Sequence, residues 1–86
     1  MRTDTSKIDK VLRKLKRKDP VLFHALSKKI IYLSELDITG IEHLKNLRGA
    51  LGHLKRVHVG NFVLTFQIKG DTIIFEEFTH HDEAYD

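Results

Sequence analysis

The chain of 86 residues contains no cysteine. A disulfide framework and a thiolate-held metal are therefore both excluded. No apolar run approaches ~18 residues, which excludes a membrane-spanning helix of ordinary length. The N-terminus is polar and lacks the apolar core of a secretory signal. Internal repeats, low-complexity tracts and compositional breaks are also missing, so residues 1–86 read as one small domain. A cytoplasmic protein with no membrane partner is the expectation. A chain this short buries only ~60–65% of the surface its unfolded form exposes, so a modest core is expected.

Negative charge is scarce in the first two-thirds. Residues 1–56 carry 14 Lys and Arg against 6 Asp and Glu; residues 57–86 carry 1 against 6. The overall charge of +3 hides this split. A basic N-terminal part suits a polyanion or an acidic partner, although a Lys-rich helix is also an ordinary solvated face. The acidic end does not suit phosphate contact without a compensating cation.

The only proline, Pro20, follows Asp19. Asp caps a helix, and Pro at the first helical position loses no needed donor. Asp19-Pro20 therefore ends one helix and starts another, an antiparallel pair with a tight connection. In the first, Ile8, Val11, Leu12 and Leu15 form one stripe, with Ser6 as the expected N-cap. Lys7, Lys10, Arg13, Lys14, Lys16, Arg17 and Lys18 fill the rest. In the second, running to about Glu35, Leu22, Phe23, Leu26, Ile30 and Leu33 form the apolar stripe, Val21, Ala25 and Ile31 widen it so that this helix is expected to be the more buried, and His24 lies beside the stripe. From Leu36 to Gly52 the pattern weakens to a helical turn or two and a glycine-punctuated loop carrying His43 and His53.

Residues 54–66 organise the C-terminal part of the chain. Leu54, Arg56 and His58 alternate with Lys55, Val57 and Val59. Gly60-Asn61 is a turn pair. Phe62, Leu64, Phe66 and Ile68 then alternate with Val63, Thr65 and Gln67, completing a hairpin. Gly70-Asp71 is a second turn, and residues 72–78 are a β-branched and aromatic third strand. Arg2 to Thr5 is a possible first strand. The expected class is α+β, with two N-terminal antiparallel helices on one face of a small, mainly antiparallel sheet of three to four strands. Its other face is expected to be open, or covered by a partner.

Strand alternation puts Arg56 and His58 on one face. A regular meander returns His81 to the same sheet edge, with Tyr85 close behind. Two imidazoles can divide acid and base roles near neutral pH. Beside cations such as Arg56 and Lys55 they suit RNA cleavage through a ribose 2′-hydroxyl. His80-His81-Asp82 also reads as a metal fragment, but adjacent side chains diverge and no spaced third and fourth ligands are evident. No metal and no cofactor are expected.

The run Asn46-Leu47-Arg48-Gly49, then residues 54–64, Ile73-Ile74-Phe75 and His80-His81-Asp82-Glu83-Ala84-Tyr85 resembles the RelE/ParE superfamily of toxin–antitoxin toxins. The helix pair around Asp19-Pro20 is similar to that family's start, so the resemblance covers nearly the whole chain. It implies a single RelE-like toxin domain with an RNase site on the concave sheet face. It also implies cleavage of messenger RNA on the ribosome and inhibition by a cognate antitoxin, with a toxin–antitoxin heterotetramer as one possible assembly. The match leans to the YafQ-like branch. By that match His58 falls at a catalytic histidine, His81 at the general acid and Tyr85 at the C-terminal aromatic. Asn61 falls at an aspartate and Phe62 at a tryptophan; with Arg48 they are expected substrate contacts. Arg56 and Lys55 would stabilise phosphorane charge. Val63 stands where RelE itself has an arginine. The alternatives are a ParE-like, non-catalytic gyrase poison and a decayed toxin that only binds its antitoxin.

Overall fold

The computed structural model describes residues 1–83. In order it contains β1 (Arg2–Asp4), α1 (Asp9–Lys18), α2 (Pro20–Ser34), α3 (Ile38–Glu42), a 3-10 turn (Gly49–Leu51), β2 (Lys55–Val59), β3 (Phe62–Lys69), β4 (Thr72–His80) and a final 3-10 turn (His81–Glu83). The sheet order is β1-β4-β3-β2. β1 lies parallel to β4; the other pairs are antiparallel. The fold is α+β, as the sequence indicates. Ile8, Leu26, Leu33 and Ile41 meet Val59, Leu64, Phe66, Ile73, Phe75 and Phe78 in one core between the helices and one sheet face.

The helix junction forms as its residues dictate. The Asp19 carboxylate accepts the Leu22 amide at 3.2 Å and Pro20 occupies the first helical position. Asp19→Ala is expected to cost about 0.5–2 kcal/mol by chemical denaturation, the usual cost of losing an N-cap. Ser6 does not cap α1. Its amide and hydroxyl donate to Asp4 instead, at 2.9 and 2.7 Å, which holds the Asp4 carboxyl below its ordinary pKa. The chain makes a turn through residues 5–8, and α1 starts at Asp9, whose carboxylate accepts the Thr5 hydroxyl. In the weakly patterned stretch, Asp37 caps α3 by accepting the Gly40 amide at 2.8 Å.

The third strand of the meander departs from regular pairing. Thr65 pairs with Glu77 but Phe66 pairs with Phe75, so Glu76 is an extra residue, a β-bulge. Strict alternation would put residues 73, 75, 77, 79 and 81 on one face. The bulge resets the phase: Phe75 and Phe78, three apart, both enter the core, and Glu76 and Glu77 take the other side. Glu76 is held there by Lys7 at 2.8 Å and by Gln67 at 2.6 Å. The Lys7 ammonium, with help from Gln67, keeps the Glu76 carboxyl below its ordinary pKa against partial burial. Because the folded-state pKa is depressed, this contact stabilises above the unfolded carboxyl's pKa and fades as pH falls through the folded one. Lys7→Ala should therefore cost about 0.5 kcal/mol at neutral pH, the scale of a solvent-exposed pair. The gap to the native chain should narrow as pH falls below the ordinary glutamate pKa of about 4.3, in denaturation curves taken across pH.

The second sheet face is only partly open. Val63 and Thr65 lie on it yet are each 1% exposed. Leu47 and Leu54 are buried too, outside the helix-side core. The segment before β2 folds back along its edge: Leu47 N–H donates to the Leu54 carbonyl at 2.9 Å and Arg56 N–H to the Lys45 carbonyl at 3.0 Å. The chain itself thus covers part of the face expected to be open or covered by a partner.

Candidate functional site

The hairpin register sets the site. Arg56 pairs with Thr65 and His58 with Val63; across β4, Thr65 pairs with Glu77 and Val63 with Thr79. Two cross-strand rows result on the face away from the helices: Arg56·Thr65·Glu77 and His58·Val63·Thr79. Beyond β4 the chain enters its last 3-10 turn, and the His81 amide donates to the Asn61 carbonyl at 2.7 Å. This bond ties the chain end to the Gly60-Asn61 turn, where Gly60 takes φ +60°, a conformation glycine adopts without penalty. The bulge puts Thr79 on the His58 face, and His81 lies two residues further on. The result is a pair of imidazoles with ring centroids 5.6 Å apart and planes 32° apart. Both residues are exposed. Asp82 reaches toward the Nδ1 atoms of His81 and His80, at 3.7 Å each.

The structure thus brings His58 and His81 together, with Arg56 two residues from His58 on the same face. It does not bring every expected residue there. Lys55 alternates to the opposite side, and its ammonium donates to the Leu44 carbonyl at 3.1 Å and the Asn46 side-chain oxygen at 2.9 Å. It anchors the folded-back segment and does not face the histidines. Phe62 lies on the helix side, stacked on Phe78 with centroids 5.0 Å apart and meeting His80 edge-on at 5.2 Å. It packs the hairpin end and is no open-face substrate contact. Asn61 serves through its backbone carbonyl, with its side chain at the exposed turn. Arg48 is exposed at the entry to the first 3-10 turn. Tyr85 lies outside the described residues.

One residue on this face is not evident from strand alternation. Glu77 shares a row with Arg56 and is half-buried. Its signal is the run Phe75-Glu76-Glu77-Phe78, where two large apolar residues flank two acids and break the period of two. That break is what a bulge accommodates.

The site is a shelf: no enclosed cleft forms among the described residues. Nor does any group of three or more His, Asp or Glu side chains there converge in a metal-binding arrangement. A shelf of this kind, carrying two imidazoles and an arginine on one face, is open to a large molecule and does not enclose a small one. No described helix is long and apolar enough to cross a membrane.

The α+β fold, helices packed on a four-stranded mixed sheet, is consistent with a small RelE-like protein. The chain is 38% identical over 81 residues to a protein of Methanocaldococcus jannaschii named "Putative toxin RelE4", covering 91% of this chain and 82% of that protein. It is also 43% identical over 44 residues to an uncharacterized protein of Methanosarcina mazei, covering 48% of this chain and 51% of that one. No family model and no solved structure matches it. On the first of these relationships, this chain belongs to the RelE toxin family.

Proposed function

We propose that the chain is the toxin of a type II toxin–antitoxin pair, acting as a ribosome-dependent messenger-RNA endoribonuclease of YafQ-like type. The observation that carries the reading is the 5.6 Å approach of the His58 and His81 rings. At that spacing one phosphodiester can hydrogen-bond to both rings. One imidazole, assigned here to His58, takes the proton of a ribose 2′-hydroxyl. The 2′-oxygen attacks the adjacent phosphorus and the bond from phosphorus to O5′ breaks. His81, protonated, gives its proton to the departing O5′. The products are a 2′,3′-cyclic phosphate and a 5′-hydroxyl end, so atoms and charge balance without a metal. Arg56 stabilises the phosphorane's added negative charge. Tyr85 would align the substrate.

The ribosome would supply what the open shelf lacks. Lys10, Arg13, Lys14 and Arg17 recur at helical spacing along α1, a line of cations suited to a phosphate backbone such as ribosomal RNA. An antitoxin would hold the toxin inactive, in a heterodimer or heterotetramer.

The test is translation of one purified messenger in a reconstituted system, with cleavage mapped by primer extension. The native chain should cut the messenger on ribosomes, and a 2′-deoxy sugar at the cut site should abolish cutting there. Cleavage that survives the 2′-deoxy substitution sinks the mechanism. Loss of gyrase supercoiling activity with no RNA cut would instead identify a gyrase poison, and neither effect would identify a decayed toxin.

A further inference from the structure

His58 and His81 are both held by their backbones. His58 pairs with Val63 inside the hairpin, and the His81 amide donates to the Asn61 carbonyl at 2.7 Å. Their ring centroids lie 5.6 Å apart at a tilt of 32°. That spacing fits a shared metal ion. An ion about 2.0–2.1 Å from one nitrogen of each ring lies about 3.2 Å from each centroid, and a near-tetrahedral angle at the ion then sets the centroids about 5.2 Å apart. The observed spacing is slightly wider, a gap that small rotations of two exposed side chains close.

The surroundings favour a cation at these rings. An Asp82 oxygen lies 3.7 Å from the His81 Nδ1 atom. A carboxylate on that side leaves Nε2 for a metal, the arrangement in which an acid orients a ligating imidazole. His80 is engaged differently. Asp82 lies 3.7 Å from its Nδ1 too, but that nitrogen accepts the Asp82 amide at 3.3 Å, and the ring meets Phe62 edge-on. Residues 57–86 carry 6 Asp and Glu against 1 Lys. Arg56 opposes a divalent ion, and Glu77 in the same cross-strand row offsets its charge. No group of three such ligands converges among the described residues, so an ion held by the pair would complete its shell with water.

We propose that His58 and His81 form a site for a divalent transition-metal ion such as zinc, and that the ion inhibits this chain. Imidazole nitrogen suits zinc, copper or nickel, whereas magnesium and calcium prefer oxygen. A bound ion takes the lone pair on one nitrogen of each ring. Those nitrogens can then neither accept the 2′-hydroxyl proton nor carry the proton destined for O5′. The metal site stands on the ring geometry; its inhibitory effect rests on the nuclease reading.

The probe is zinc chloride, titrated into the full ¹⁵N-labelled chain in parallel with magnesium chloride. Zinc should saturate at one ion per chain, raise the Tm and move the ring signals of His58 and His81 most. Magnesium should do none of this. His58→Ala and His81→Ala should each raise the zinc Kd at least about tenfold, the scale of losing even a supporting contact at a metal. His80→Ala and His53→Ala should leave it unchanged. In the reconstituted translation system zinc should stop messenger cleavage with a midpoint near that Kd, and a zinc-selective chelator that spares magnesium should restore it. No saturable binding, equal binding of magnesium, or a Kd set by His80 or His53 would overturn the proposal. So would faster cleavage with zinc, or inhibition that the chelator does not reverse. Should the native chain cut no messenger in zinc-free buffer, the nuclease reading fails, and the titration still decides whether the metal site exists.

Discussion

His81→Ala should lower the single-turnover rate of messenger cleavage on programmed ribosomes by about 10²–10⁴-fold, the usual contribution of a positioned general acid. The fold should barely notice. His81 is exposed, and what holds its turn in place is its backbone amide on the Asn61 carbonyl, which alanine keeps. Thermal unfolding should therefore stay within a few degrees of the native curve while activity collapses. His58→Ala should cost a similar factor. The double variant should lose much less than the product of the two, because residues that act as a unit are not additive. Near-native cleavage by His81→Ala would remove that ring from the reaction.

Phe66→Ala should do the reverse and strongly destabilise the fold. Phe66 is fully buried at the centre of β3, its ring 5.9 Å from that of Phe75. Truncating a buried phenylalanine costs about 3–5 kcal/mol. A chain of this length is expected to have a total stability of roughly 4–13 kcal/mol, so at least about a quarter of its margin would go. In a domain this small each kcal/mol moves the Tm by about 4–8 °C, which predicts a drop of at least about 12 °C by circular dichroism. Phe66 also sits beside the Glu76 bulge. Loosening that point loosens the phase that turns His81 toward His58, so residual folded protein should cleave poorly. A Tm change of only a few degrees would mean that the helix–sheet core is not organised around this strand.

Much of this architecture is legible in the chain. Asp19-Pro20 announces the helix pair because two residues there have few other uses. The alternation on each side of Gly60-Asn61 gives the hairpin and the faces of Arg56 and His58. What fails are inferences that need tertiary context. Ser6 has the chemistry of a cap but finds Asp4 two residues before it. Lys55 is a cation next to the right arginine, yet neighbouring strand residues point apart, and it goes to the Leu44 carbonyl. Phe62 is aromatic and adjacent to the turn, but its phase belongs to the core. The meeting of His58 and His81 is expected from a regular meander and is achieved by an irregular one. Without the bulge at Glu76, alternation from Phe75 would carry His81 to the helix side. Local pattern shows that Phe75 and Phe78 conflict with a period of two; only the paired register shows how the conflict is resolved.

The most direct test of the two-imidazole account replaces the bridging O5′ at the cut site with sulfur. A thiolate leaves without a proton, so the general acid becomes unnecessary. On this messenger His81→Ala should cleave within a few-fold of the native chain, while His58→Ala remains as impaired as on the natural bond. If His81→Ala stays fully impaired, or if both variants recover alike, the division of roles between these rings is contradicted.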